Sequence, residues 1–138
     1  MAEARPNSPF HRKDAAHRQA LGRRAEALAC EFLRQRGFFV EALNVRYRVG
    51  EIDIVAREGS TLCFVEVRST GSVAWGGPLA TVTSPKQRRI VRAAQIYLQR
   101  EPVVPEEIRF DVVAVDWSEG RKAKIELVRC AFTTDGLI

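Results

Sequence analysis

The sequence predicts an α/β domain, a central mixed sheet of about five strands flanked by helices in the order αβββαββ. Three observations lead there. Two stretches carry apolar residues at helical spacing, and five short runs are rich in β-branched and aromatic residues. The two kinds of segment alternate along the chain, and strands that are apolar on both faces need a helix on each side to bury them. At 138 residues the chain has the length of one domain. We read residues 1–17, polar and without periodicity, as a mobile tail and residues 18–138 as the domain.

The first helix is expected over Arg18–Arg36. Leu21, Ala25, Leu28 and Phe32 form one apolar stripe, and Gly37 follows where a helix C-cap favours glycine. Phe38–Leu43 reads as a short strand. Glu51–Arg57 and Thr61–Arg68 are β-rich runs joined at Gly59-Ser60, a hairpin signal. Residues 69–83 form a long connection with Trp75 among glycines, and loops of that length often carry function. The second helix starts at Ser84, with Pro85 in its first turn and Gln87 as a capping-box residue, and reaches about Gln99. Ile108–Val115 is an apolar strand buried on both faces, and Lys124–Ala131 is the last strand, entered through a turn at Gly120.

Composition narrows the function classes. Hydrophobic residues make up 46% and charged residues 28%, the balance of a soluble globular domain. No apolar run reaches the roughly 18–20 residues that cross a bilayer, and Met1–Arg18 has no apolar signal core, so no membrane role and a cytoplasmic location are expected. Cys30, Cys63 and Cys130 are too dispersed for a disulfide framework or a paired-cysteine zinc site, and read as small buried residues. His11 and His17 both lie in the tail, which argues against histidine catalysis. A net charge of +5 suits a polyanionic partner.

The hairpin holds the most informative geometry. A two-residue turn at Gly59-Ser60 makes directly opposed residues sum to 119, so Asp53 faces Glu66 and Glu51 faces Arg68. Alternation puts these four side chains on one face, with Ile52, Ile54, Ala56, Cys63, Val65 and Val67 on the other as core. Opposed carboxylates repel across a sheet and call for a compensating cation. Arg68, Arg46 or Arg48 could supply it as a salt-bridge network. A hard divalent ion, Mg²⁺ or Mn²⁺, is the alternative, since it prefers carboxylate and carbonyl oxygens.

Gly50-Glu51-Ile52-Asp53-Ile54-Val55-Ala56 followed by Phe64-Val65-Glu66-Val67-Arg68 resembles the core of the YraN-like family of small bacterial proteins. The likeness runs from Gly22 to about Ala131 and includes Gly22, Glu26, Asn44, Arg46, Lys86-Gln87-Arg88-Arg89 and Arg109-Phe110-Asp111. That family is similar to Holliday junction resolvases of the PD-(D/E)xK nuclease superfamily. The resemblance implies a restriction-endonuclease-like, resolvase-like three-layer core over residues 18–138. It further implies a divalent-metal-dependent endonuclease acting on DNA, including branched or repair intermediates. Asp53 and Glu66 would then be metal ligands, joined by the Val67 carbonyl and by Glu51 as a secondary ligand, with Glu26 approaching from the first helix. Arg68 stands where the superfamily has a lysine. Arginine can stabilise charge but stays protonated, so it cannot serve as a base. A catalytically weak or inactive nucleic-acid-binding module on the same fold is therefore the competing reading. Lys86, Arg88, Arg89 and Arg92, around the first turns of the second helix, are the expected phosphate contacts, helped by the helix dipole. Asp111 reads as a buried partner of Arg109 rather than a ligand. Symmetric resolution of a four-way junction would call for a homodimer.

Overall fold

The computed structural model describes residues 9–70, 82–117 and 122–134. It contains helix α1 (Pro9–Gln35), strands β1 (Phe39–Tyr47), β2 (Gly50–Glu58) and β3 (Thr61–Thr70), helix α2 (Ser84–Arg100), and strands β4 (Glu107–Asp116) and β5 (Lys124–Phe132). The order is αβββαββ, as expected. The five strands lie side by side in the order β1-β2-β3-β4-β5. All neighbours are antiparallel except β3 and β4, whose parallel pairing requires the α2 crossover. The expected loop features at Trp75 and Gly120, and residues 1–8 of the expected tail, lie outside the described residues.

One helix covers each face of the sheet. Under α2, Val55, Leu62, Phe64, Phe110, Val112 and Phe132 pack against Ile90, Val91, Ala93 and Ala94. Phe64, Phe110 and Phe132 stack across three strands with centroids 5.6 and 5.1 Å apart, and Tyr97 meets Phe64 edge-on at 5.9 Å. Under α1, Ala25, Ala29, Cys30 and Leu33 meet Ile54, Ala56, Cys63, Val65, Val113 and Val115.

Several boundaries differ from expectation. Helix α1 begins at Pro9 rather than Arg18, with proline in the first turn where it needs no hydrogen bond, and nothing before Arg18 breaks the helix. Its buried seam is Ala25, Ala29 and Leu33, while Leu28 and Phe32 flank it half-buried. Small residues on the seam let the helix lie close to the sheet, and Phe32 instead carries the Arg36 guanidinium at 3.5 Å from its ring. Gly37 terminates the helix at φ +88°, and the Phe38 N–H donates to the Leu33 carbonyl at 3.0 Å, a Schellman closure. Helix α2 is capped by Thr83, one residue earlier than expected; its side chain accepts from the Lys86 N–H. Gln87 donates to the Val82 carbonyl at 3.0 Å instead of closing a capping box. Cys30 and Cys63 are buried as expected, whereas Cys130 is exposed.

Strand β1 is longer than Phe38–Leu43 and forms a second hairpin with β2, turning at Arg48-Val49 between the paired Tyr47 and Gly50. No Gly, Asn or Asp occupies that turn, so the sequence carries no turn signal there. At the other end of the sheet, Asp111 is fully buried and accepts Arg109 Nε and Nη2 at 2.8 and 2.9 Å. It also accepts the Cys130 N–H at 3.0 Å, where β5 bulges with Cys130 at φ +52°. Arg109 and Arg129 both reach Glu58. These two guanidiniums hold the Glu58 carboxyl down at about 2 against an ordinary 4.5, Arg129 contributing most. A depressed carboxylate pKa contributes stability that is complete above the unfolded value and lost as pH falls through the folded one. The protein is therefore expected to lose stability between pH 4.5 and 2. Thermal melts should show this slope flattened in Glu58→Gln; an unchanged slope would mean that Glu58 is not the group titrating.

Candidate metal and nucleic-acid site

The register of the β2–β3 hairpin is the one the turn arithmetic gives. Ile54, Val55, Ala56, Arg57 and Glu58 pair with Val65, Phe64, Cys63, Leu62 and Thr61. Gly59 turns at φ +60°, as the first position of a type II′ turn requires. Beyond Ile54 the pattern changes. Ile52 packs in the α2-side core with Val55 rather than on the α1 side with Ile54. Strict alternation is broken around Asp53, opposite the stretch of β1 where Asn44 takes φ +50°. Instead of a further backbone rung, the Asp53 carboxylate accepts the Val67 N–H at 2.8 Å. The distortion thus aims a carboxylate across the end of the ladder.

That carboxylate meets Glu66. Asp53 and Glu66 are in hydrogen-bond contact, and Glu66 is only 5% exposed. Burial first, then the Glu66 charge and hydrogen bond, push the Asp53 carboxyl up to about 8 from 3.8, against the opposing pull of the Val67 N–H. Glu26 adds a smaller push in the same direction. Among the described residues no cation forms an ion pair with Asp53. Glu66, by contrast, has two: Lys86 Nζ lies 2.8 Å and Arg68 Nη1 3.6 Å from the same oxygen, Oε1.

The remaining expected residues divide. Glu26 lines a hollow with Arg23, Arg34 and Asn44, and its charge acts on Asp53. Glu51 is exposed and faces Arg46 on β1 at 3.5 Å, and β2–β3 pairing stops before it could oppose Arg68. Arg68 lies against Glu66, two residues away on its own strand. Val67 contributes its N–H to Asp53. Among the described residues no three His, Cys, Asp or Glu side chains converge as a ready metal cage. Among the described residues, the carboxyl oxygens on hand are those of Asp53 and Glu66. Hard oxygens few in number suit Mg²⁺ or Mn²⁺, which keep several waters.

Glu66 also opens onto a cleft of about 430 Å³ between the β1–β2 turn and the start of α2. Among the described residues, Arg46, Arg48, Lys86 and Arg89 line it together with Glu51 and Glu66. Gly50 fixes the near wall: a Cβ there would collide with the Arg89 carbonyl oxygen, so the turn packs backbone to backbone on α2. Of the four expected phosphate contacts, Lys86 and Arg89 face this cleft, whereas Arg88 and Arg92 are exposed and do not line it. Arg48, which sequence reasoning treated only as a neutraliser of acids, lines the cleft as a wall residue. The place of Lys86 on Glu66 had one legible signal. A crossover helix that returns from β3 starts near the carboxyl end of that strand, where α/β proteins gather their ligands.

The family model for Uncharacterised protein family UPF0102 matches residues 25–115. The chain belongs to the UPF0102 family. A UPF0102 protein of Desulforapulum autotrophicum is 47% identical over 118 residues, covering 86% of this chain and 97% of the relative. One from Anaeromyxobacter sp. is 46% identical over 123 residues, covering 89% and 92%. One from Symbiobacterium thermophilum is 41% identical over 112 residues, covering 81% and 95%. UPF0102 is the YraN-like family whose motifs the sequence carries. The αβββαββ sheet with a helix on each face agrees with a resolvase-like core. No helix among the described residues is long and apolar enough to cross a membrane.

Proposed function

We propose that this UPF0102 protein is a divalent-metal-dependent endonuclease-like protein that binds DNA, with branched or repair intermediates as its expected substrates. The observation that carries the reading is the Asp53–Glu66 pair. Two carboxyls are held in contact, one nearly buried, and Asp53 has no cation beside it among the described residues. Arranged only for stability, such a pair would be costly; arranged to receive a cation, it is poised. Asp53 and Glu66 would hold Mg²⁺ or Mn²⁺, with the Val67 carbonyl as a further oxygen. A bound ion supplies polarisation of a phosphoryl oxygen and a lowered water pKa.

The chain's own residues do the rest. The Val67 N–H holds the Asp53 carboxylate in line with Glu66. Arg46, Arg48 and Arg89 present guanidiniums along the cleft where a phosphodiester backbone would run. Arg68, beside Glu66, can stabilise charge developing on a phosphate but cannot take a proton from water. That limitation favours one second reading: a nucleic-acid-binding module on the nuclease fold, with weak turnover or none.

Purified protein should bind DNA with an affinity that falls steeply with salt, and should cut four-way, flapped or single-stranded DNA only when Mn²⁺ or Mg²⁺ is supplied. Glu66→Gln should abolish cutting while leaving salt-dependent binding in place. Binding without metal-dependent cutting of any of these substrates would select the second reading. Absence of salt-dependent binding would remove both.

A further inference from the structure

Glu66 already has a cation on it. Lys86 Nζ sits 2.8 Å from Oε1, closer than Arg68, although Lys86 comes from a different element and its side chain is 36% exposed where that of Glu66 is 6% exposed. The backbone of Lys86 is held in the first turn of α2, its N–H bonded to the Thr83 hydroxyl. The flexible part is the four-carbon stem, which lies in the cleft lined by Arg46, Arg48 and Arg89. An ammonium and a divalent ion on the same carboxylate repel each other, so an ion bound at Glu66 weakens the Lys86 contact. The ammonium, once released, has an obvious place to go: the same cleft, toward a phosphate.

We propose that Lys86 is an internal placeholder for the divalent ion. It neutralises Glu66 in the metal-free protein, is displaced from Oε1 when the ion binds, and then contacts a phosphate of the nucleic acid in the cleft. Metal binding and phosphate capture are thereby coupled through one carboxylate. Lys86 acts here as a positioning residue toward the metal and as a substrate contact toward the phosphate. The inference rests on the proposed metal site, and it assigns the chain two opposite demands on one residue. A purely structural salt bridge makes no such demand, since its loss would loosen Glu66 and weaken everything built on it.

The test is calorimetric titration of the full chain with Mn²⁺ alone, together with DNA binding measured in Ca²⁺, for wild type, Lys86→Met, Lys86→Gln and Lys86→Arg. Removing the competing charge should tighten Mn²⁺ binding about three- to tenfold in Lys86→Met and Lys86→Gln. The same two variants should bind DNA about tenfold more weakly in Ca²⁺, with a shallower salt dependence. Lys86→Arg should stay near wild type in both. Mn²⁺ binding that is unchanged or weaker in folded Lys86→Met and Lys86→Gln overturns the placeholder role while leaving the metal site standing. A wild type that binds no Mn²⁺, with Glu66→Gln indistinguishable from it, overturns the metal site and this inference together.

Discussion

Asp53→Asn is expected to make the metal-free protein more stable, by about 1–2 kcal/mol or roughly 3–8 °C, while removing its response to Mn²⁺. The carboxamide can still accept the Val67 N–H and still donate to Glu66, so the local geometry survives. What disappears is the cost of holding two acids in contact at the sheet end. Because the Asp53 carboxyl is raised from 3.8 to about 8, the folded chain takes up a proton that the unfolded chain does not hold. Stability conferred by the wild-type residue therefore falls as pH rises through that window, and the advantage of the asparagine variant should grow with it. Circular-dichroism melts in EDTA at pH 5 and pH 8 measure both effects. Mn²⁺ should then raise the melting temperature of the wild type and not of the variant. A variant less stable than wild type in EDTA would mean that Asp53 is a structural acid and not a residue held ready for a cation.

Asp111→Ala should have the largest effect in the opposite direction, a loss of about 3–5 kcal/mol, the cost of breaking a buried ion pair by removing one partner. Asp111 is fully buried, takes two hydrogen bonds from Arg109 and one from the Cys130 N–H, and so joins β4 to the bulge of β5. Its removal leaves a bulge N–H without an acceptor and Arg109 held by Glu58 alone. Urea unfolding should show a lower midpoint with unchanged slope. Asp111→Asn, which keeps an acceptor for Cys130, should lose distinctly less. Equal losses in the two variants would show that charge, not the bulge contact, is what matters. Asp111 is fully buried and Asp53 half-buried, and both accept a backbone N–H, yet the predictions have opposite sign. The difference lies in the neighbour: Asp111 faces a guanidinium, Asp53 another carboxyl.

Much of this was legible in the chain. The Gly59-Ser60 turn determines the β2–β3 register, because a two-residue turn leaves one pairing and each side chain follows from it. That arithmetic brings Asp53 near Glu66, and the distortion beyond Ile54 with the Val67 N–H then aims its carboxylate. Leu33, which the seam buries in place of Phe32, was missed because a helical stripe tolerates a rotation of one residue when small side chains let the helix approach. The Arg48-Val49 hairpin was missed because its turn residues have no turn preference; β1 and β2 are joined there by packing of Gly50 on the Arg89 backbone. Ile52 departs from the strict alternation expected of it because alternation holds only where the ladder is regular.

The order of elements, the mixed sheet with a helix on each face, the family and the neighbourhood of Asp53 and Glu66 were all written in the chain. Local periodicity and turn chemistry act over a few residues and need no other part of the chain. The tertiary structure decided which charges belong to the site. It set Glu51 beside Arg46, brought the Glu26 charge to bear on Asp53, and delivered Lys86 to Glu66 from twenty positions downstream. Coulombic partnership depends on distances across the fold, set by where α2 lands on the sheet, and no spacing along the chain encodes that distance.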